Sequence, residues 1–158
     1  MEWRSRGWAV RDHVSPFLGA PPLEHFPFEV PIQVRFRDLD PMGHVNNAVY
    51  GTFFEMGREA FFRKVFAVTE ATDFEFILAR LEVDYRRPAR YDDALVLGLR
   101  VSAAGTTSFT FEYLLRCGEE VVAEGRSVQV CFDYAAGKKK PLSAEFLRKM
   151  DPYRGGGA

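Results

Sequence analysis

The stretch Asp38-Leu39-Asp40-Pro41-Met42-Gly43-His44-Val45-Asn46-Asn47-Ala48-Val49-Tyr50 holds the densest chemistry in the chain. Two carboxylates lie two residues apart, and a glycine, a histidine and two asparagines follow. Pro41 and Gly43 make a turn, with glycine letting the backbone double back tightly. Asn46 or Asn47 can cap a helix that begins just beyond. A helix start carries unpaired N–H groups and the positive end of the helix dipole. Such groups polarise a carbonyl and hold an oxyanion. A carboxylate beside them serves as base or nucleophile. Together these are parts for acyl transfer that needs no metal or cofactor. Asp-x-Asp ahead of a helix is also ordinary turn and capping chemistry, and the residues alone leave both readings open.

The flanking elements must hold this loop in place. Residues 32–37, IQVRFR, alternate apolar and polar, so a half-buried strand is expected with Ile32, Val34 and Phe36 inward. A helix is expected over 47–66, with Tyr50, Phe53, Phe54, Gly57, Phe61 and Val65 on one face. Residues 67–74 read as a loop. Strands follow over 75–87, 94–103, 106–116 and 120–134, the first with Ala79, Leu81, Val83 and Tyr85 on one side. Residues 135–142 form a basic turn, and a short helix is expected over 143–150. The order predicts an α+β fold: one apolar helix against a curled antiparallel sheet.

Bulk properties bound the function. The 158 residues suit one domain with a sizeable core. Residues 1–30, punctuated by Pro16, Gly19, Pro21, Pro22 and Pro27, read as an extension docked through Trp3, Trp8, Phe17 and Phe26. The folded domain is expected over 31–150, followed by a flexible tail, 151–158. A net charge of −1 offers no basic field for nucleic acid. Neither a signal peptide nor a membrane span is visible, so a cytoplasmic protein with no membrane partner is expected. Cys117 and Cys131 form no CxxC pair and read as free thiols, Cys131 as strand packing rather than a nucleophile beside His44. The other histidines, His13 and His25, lie in the extension with no ligand spacing, so no metal is expected. The 15 phenylalanines need a thick core, an interface or an apolar tunnel, and the sequence does not choose among these.

The motif DLDPMGHVNNAVY resembles, without gaps, the signature of the hotdog-fold acyl-CoA thioesterases of the 4-hydroxybenzoyl-CoA thioesterase-like branch. The likeness extends through YGTFFEMGREAFF, LEVDYRRPARYDD, TSFTFEYLLR and VAEGRSVQVCFD, over about residues 30–145. It implies a hotdog fold, a five-stranded antiparallel sheet wrapped around one long helix, in a homodimer often paired into a homotetramer. It implies hydrolysis of an acyl-CoA to an acid and free CoA. The second aspartate, Asp40, falls on the family's catalytic carboxylate, as nucleophile or general base. The backbone N–H of Asn47 falls where the family polarises the thioester carbonyl. Gly43 permits the turn, His44 and Asn46 line or brace the site, Tyr50 closes the motif, and Asp38 organises the loop.

The same resemblance assigns substrate contacts. CoA phosphates call for cations at a groove, and Arg86, Arg87 and Arg90 form one candidate cluster, Lys138, Lys139 and Lys140 another. Thr106, Thr107 and Ser108 are candidates for the pantetheine arm, and Phe109 and Phe111 for an acyl pocket. Glu55 sits near the position where another hotdog branch carries its carboxylate, but the favoured reading is a solvated or ion-paired helix residue. Two rival functions share the fold: hydrolysis of acyl-carrier-protein thioesters, and a non-catalytic acyl-CoA-binding module.

Overall fold

The computed structural model describes residues 25–155. The docking expected of Trp3, Trp8 and Phe17, and His13, lie outside these residues. The elements run β1 (Phe28–Ile32), α1 (Val49–Phe66), β2 (Phe76–Tyr85), β3 (Leu95–Ala104), β4 (Ser108–Cys117), β5 (Glu120–Asp133), β6 (Lys138–Lys139) and α2 (Ala144–Met150). Antiparallel pairing gives one curled sheet in the order β1-β3-β4-β5-β2, with the two-residue β6 added beside β5. Four of the five expected strands stand close to where they are expected, α1 lies against the concave face, and β2 forms an edge with no partner on its outer side among the described residues.

The helix sits unusually close to the sheet. A Cβ on Gly57 would come 2.5 Å from Leu97, and one on Gly125 of β5 would overlap the Phe54 ring. The Phe54 ring stacks on Tyr113 of β4 at 4.5 Å. Tyr50, Phe53, Phe54, Gly57 and Phe61 are buried as their spacing predicts, whereas Val65 is half-buried. Arg58 is buried too, at 6% exposure, and donates to the Tyr113 hydroxyl. The sequence reading missed it, because a cation on an apolar face carries no periodic signal.

Three local expectations need correction. The strand expected over 32–37 lies instead at Phe28–Ile32. Its only partner among the described residues, β3, begins at Leu95 opposite Ile32, so residues 33–37 meet no ladder within them. Ile32 and Val34 do point inward, but the chain then folds into a 3-10 turn at Phe36–Asp38, and Phe36 stands 81% exposed. The second correction concerns β2. A bulge between Leu78 and Arg80 resets the alternation, leaving Ala79 exposed while Leu81, Val83 and Tyr85 keep the inward register. The third is that 135–142 is not all turn, since β6 lies within it.

A half-buried ion pair, with Asp38 inside and Arg35 at the surface, locks the 3-10 turn. Asp38 is 2% exposed and accepts from Nε and Nη2 of Arg35 at 2.8–3.2 Å, plus the Arg35 backbone N–H at 2.8 Å. Those side-chain hydrogen bonds hold the Asp38 carboxyl below the usual carboxylate range. A depressed folded pKa contributes stability above the unfolded value, near 3.9, and loses it as pH falls through the folded one.

Both contacts can be read in thermal melts. Gly57→Ala gains about 1 kcal/mol of helix propensity but overpacks the fully buried Leu97 at a cost of about 1–3 kcal/mol. Its Tm should be lower by a few degrees, and a higher Tm would refute the close approach. Asp38→Asn should melt lower than wild type at pH 7, with the gap closing as pH is taken below about 4. A gap that is constant with pH would mean the pair is not what locks the turn.

Candidate active site

The loop after the 3-10 turn is a small hairpin. Leu39 bridges Val45, the Asp40 N–H donates to the His44 carbonyl at 2.7 Å, and the Asn46 N–H donates to the Asp38 carbonyl at 2.8 Å. Gly43 turns the tip with φ +77°, in the region that only glycine enters cheaply. The hairpin is fastened to the body at Ala89, which is fully buried. The Val45 N–H donates to the Ala89 carbonyl at 2.8 Å, and the Ala89 N–H donates to the Tyr50 hydroxyl at 3.1 Å. Loop and helix are therefore tied to one residue.

Asp40 is held asymmetrically. Its Oδ1 accepts from the N–H groups of Met42, at 2.8 Å, and His44, at 3.1 Å. Its Oδ2 takes no hydrogen bond among the described residues, and the residue is half-buried. The loop thus fixes the carboxylate plane and leaves one oxygen available.

The chain then enters α1. The Asn46 side chain accepts from the Ala48 N–H at 3.0 Å and its carbonyl from the Val49 N–H at 2.9 Å, so Asn46 closes the turn ahead of the helix. Asn47 is exposed, and its N–H has no acceptor among the described residues. Its carbonyl accepts from the Tyr85 hydroxyl at 3.0 Å, and the Tyr85 ring meets Tyr50 edge-on at 5.0 Å. The hairpin thus carries a carboxylate with one oxygen unbound, and the Asn47 N–H lies just ahead of α1 with no acceptor among the described residues. His44 is half-buried within the hairpin and pairs by backbone with Arg90.

The other assigned residues divide between the two ends of the sheet. Arg86, Arg87 and Arg90 lie at the hairpin end. Arg86 is paired with Glu124, and Arg87 with Asp93 and Glu120, while the Arg90 guanidinium has no partner among the described residues. Thr106, Ser108 and Lys138–Lys140 lie at the opposite end, where Ser108 faces Val130 and Lys139 faces Phe132. Ala123 pairs with Tyr85 and Cys131 with Phe76, so the two ends of β5 stand about 26 Å apart. Lys140 is paired with Glu75, whereas Lys138 and Lys139 are exposed with no partner among the described residues. Glu55 is exposed on α1. Burial pushes the Cys131 thiol up, away from the thiolate a nucleophile needs. No group of three or more His, Cys, Asp or Glu among the described residues could hold a metal ion.

Tyr85 and Ala89 escaped the sequence reading as site residues. Tyr85 carried a signal, as the last inward residue of its strand, but Ala89 contributes only backbone and carried none.

Comparison with known proteins agrees with this architecture. The thioesterase-like superfamily profile matches residues 34–150. The acyl-CoA thioester hydrolase YbgC of Escherichia coli O6:H1 is 28% identical over 127 residues, covering 78% of this chain and 95% of YbgC. The long-chain acyl-CoA thioesterase FadM of Escherichia coli K12 is 29% identical over 124 residues, covering 76% and 94%. A thioesterase from Thermus thermophilus, solved with coenzyme A and zinc, superposes with a TM-score of 0.75 at 34% identity, covering 85% of this chain and 99% of that one. With the profile spanning the hairpin, α1 and β2–β5, the chain belongs to the thioesterase-like superfamily and has its hotdog fold.

Proposed function

We propose that the protein hydrolyses acyl-CoA thioesters, with Asp40 as the catalytic carboxylate and the Asn47 N–H polarising the thioester carbonyl. The observation that carries this reading is the asymmetry of Asp40: Oδ1 bound by two loop N–H groups, Oδ2 unbound. An ionised carboxylate with one free oxygen either adds to the thioester carbon or takes a proton from an attacking water. In the general-base route water adds to the carbonyl carbon, the C–S bond breaks, and the proton taken by Asp40 passes to the leaving CoA sulfur. In the nucleophile route the C–S bond breaks as Asp40 forms an acyl anhydride, which a water then cleaves, releasing the acid, restoring Asp40 and supplying the proton that the CoA sulfur takes up. The developing oxyanion meets the free Asn47 N–H and the positive end of α1. His44 braces the hairpin through its backbone. CoA as the carrier is supported by the YbgC and FadM relatives and by the CoA-bound Thermus neighbour. Among the basic residues, Arg90, Lys138 and Lys139 suit the phosphates best, because their charges are not already paired within the described residues.

The working unit in this reading is a homodimer joined through β2. That strand has no partner on its outer side among the described residues, and Leu78 and Leu81 on its concave side stand 45% and 37% exposed. A long edge left open, with exposed leucines on its concave side, templates further strand pairing, and a two-fold copy closes it.

Asp40→Asn preserves the Oδ1 hydrogen bonds and removes the charge. Its kcat in a thiol-release assay over a panel of acyl-CoAs should fall on the order of 10²–10⁴-fold. Undiminished turnover would sink the catalytic assignment. Wild type that binds acyl-CoA but releases no thiol would favour the binding module, and release only from carrier-protein esters would favour that substrate. Leu78→Glu at the edge should elute with the mass of one chain in light scattering, where wild type elutes as a multiple. A wild-type monomer would refute the β2 interface.

A further inference from the structure

Arg58 is a cation inside the fold with no counter-charge. It is 6% exposed, and its one hydrogen bond among the described residues goes to the Tyr113 hydroxyl, at 3.2 Å. That hydroxyl engages a single N–H of a fork built to grip a carboxylate with two. Burial pushes the Tyr113 phenol up, so it stays neutral and supplies no negative charge. Tyr113 is hydrogen-bonded in turn to Ser127, and Ser127 to the Gln129 amide, both fully buried and both neutral. Glu55, one turn earlier on α1, is exposed and makes no ion pair among the described residues, and Glu59 is paired with Arg63. Buried cations are almost always paired, because a neutral acceptor satisfies an N–H and leaves the charge uncompensated.

Arg58 also stands in line with the reactive loop of its own chain. Asn47, Gly51, Arg58 and Phe62 fall within about 60° of one helix face. That face runs beneath β2. The Tyr85 hydroxyl reaches the Asn47 carbonyl, a Cβ on Gly51 would meet only Leu81, at 3.3 Å, and Phe62 stacks on Phe76. The guanidinium lies near the row of Leu81, since Tyr113 bonds Ser127 and Ser127 pairs with Leu81 across the sheet. Asn47 and Arg58 are about 16 Å apart along the axis, and a long helix side chain reaches back about 6 Å toward the helix start. About 10 Å then separates the Asn47 N–H from the guanidinium. With C–C bonds of about 1.5 Å, an extended chain of about eight carbons spans that gap. Half-buried Gly51 and the partly exposed Leu78 and Leu81 make the stretch between them apolar. Past Phe62 the face ends at a cavity of about 280 Å³ walled by phenylalanines, with Asp73 and Glu75 at its rim. Those carboxylates repel an anion, which leaves Arg58 as the place along this face where one is stabilised.

We propose that Arg58 sets substrate specificity by receiving the distal carboxylate of a medium-length dicarboxylic acyl group whose thioester lies at Asp40 and Asn47. The proposal rests on the reading of Asp40 and Asn47 as the thioester site. The incoming carboxylate supplies the counter-charge that the fold withholds, and the guanidinium fork takes it with two N–H groups. An acyl group of equal length ending in a methyl brings no such partner. Binding is read without turnover, by calorimetry on the Asp40→Asn chain with suberyl-CoA and octanoyl-CoA, whose acyl chains match in length and end in a carboxylate and a methyl. Suberyl-CoA should bind roughly 10-fold or more tightly. Arg58→Met replaces the charge by an apolar side chain of similar length and should reverse that order. Equal affinities in the chain that keeps Arg58, tighter octanoyl-CoA there, or an order unchanged in Arg58→Met would each overturn the proposal. Should Arg58→Met not fold, Arg58→Lys takes its place. It keeps the charge without the fork, so the preference should shrink severalfold, and an undiminished preference would overturn the role given to Arg58. Wild type assayed for thiol release separates the two readings. Suberyl-CoA bound in the expected order but hydrolysed by no chain would strike thioester hydrolysis and leave the carboxylate site standing.

Discussion

The close approach of α1 to the sheet governs the rest of the molecule. Gly57 lets the helix settle onto Leu97, and Gly125 makes room for the Phe54 ring, which stacks on Tyr113. A helix held that tightly has no freedom to slide or roll, because protein interiors are close-packed. Its first turn is therefore a fixed point in space. The hairpin of residues 39–45 is then tied to the same point through Ala89, which both Val45 and Tyr50 reach by hydrogen bond. The orientation of the hairpin is a consequence of core packing.

The site itself is built almost wholly from backbone. Asp40 is oriented by N–H groups of its own loop, and the oxyanion donor in the proposed reaction is a main-chain N–H. Side-chain charge is used elsewhere, to lock the entering turn through Asp38 and Arg35. This division suits a reaction in which the charge that develops is small, local and directional. Preorganised dipoles meet it without reorganising. It also separates the two aspartates of the motif: one is buried and paired, the other half-buried with one oxygen free.

Much of this was legible in the sequence. The helix face of Tyr50, Phe53, Phe54, Gly57 and Phe61 follows from spacing, and the order of strand, helix and four strands follows from alternation. The motif from Asp38 to Tyr50 located the hairpin through its proline, glycine and asparagines. What stayed hidden was set by partners distant in sequence. The shift of β1 to Phe28–Ile32 depends on where β3 begins, and the β2 bulge on its register against β5. Arg58 is buried because Tyr113 lies above it. The separation of the lysine cluster from the arginine cluster, at opposite ends of β5, is a property of the sheet rather than of any local pattern. The phenylalanine count could not divide core from cavity, since both use the same rings.

The central claim is that the start of α1 polarises a thioester carbonyl placed against Asp40. Infrared difference spectroscopy reads this directly, using octanoyl-CoA labelled with ¹³C at the carbonyl and the slow Asp40→Asn enzyme. A carbonyl stretch shifted to lower frequency on binding is expected, retained in Asn47→Ala, which keeps the N–H, and lost in Asn47→Pro, which lacks it. A bound carbonyl that absorbs where the free thioester does would contradict it.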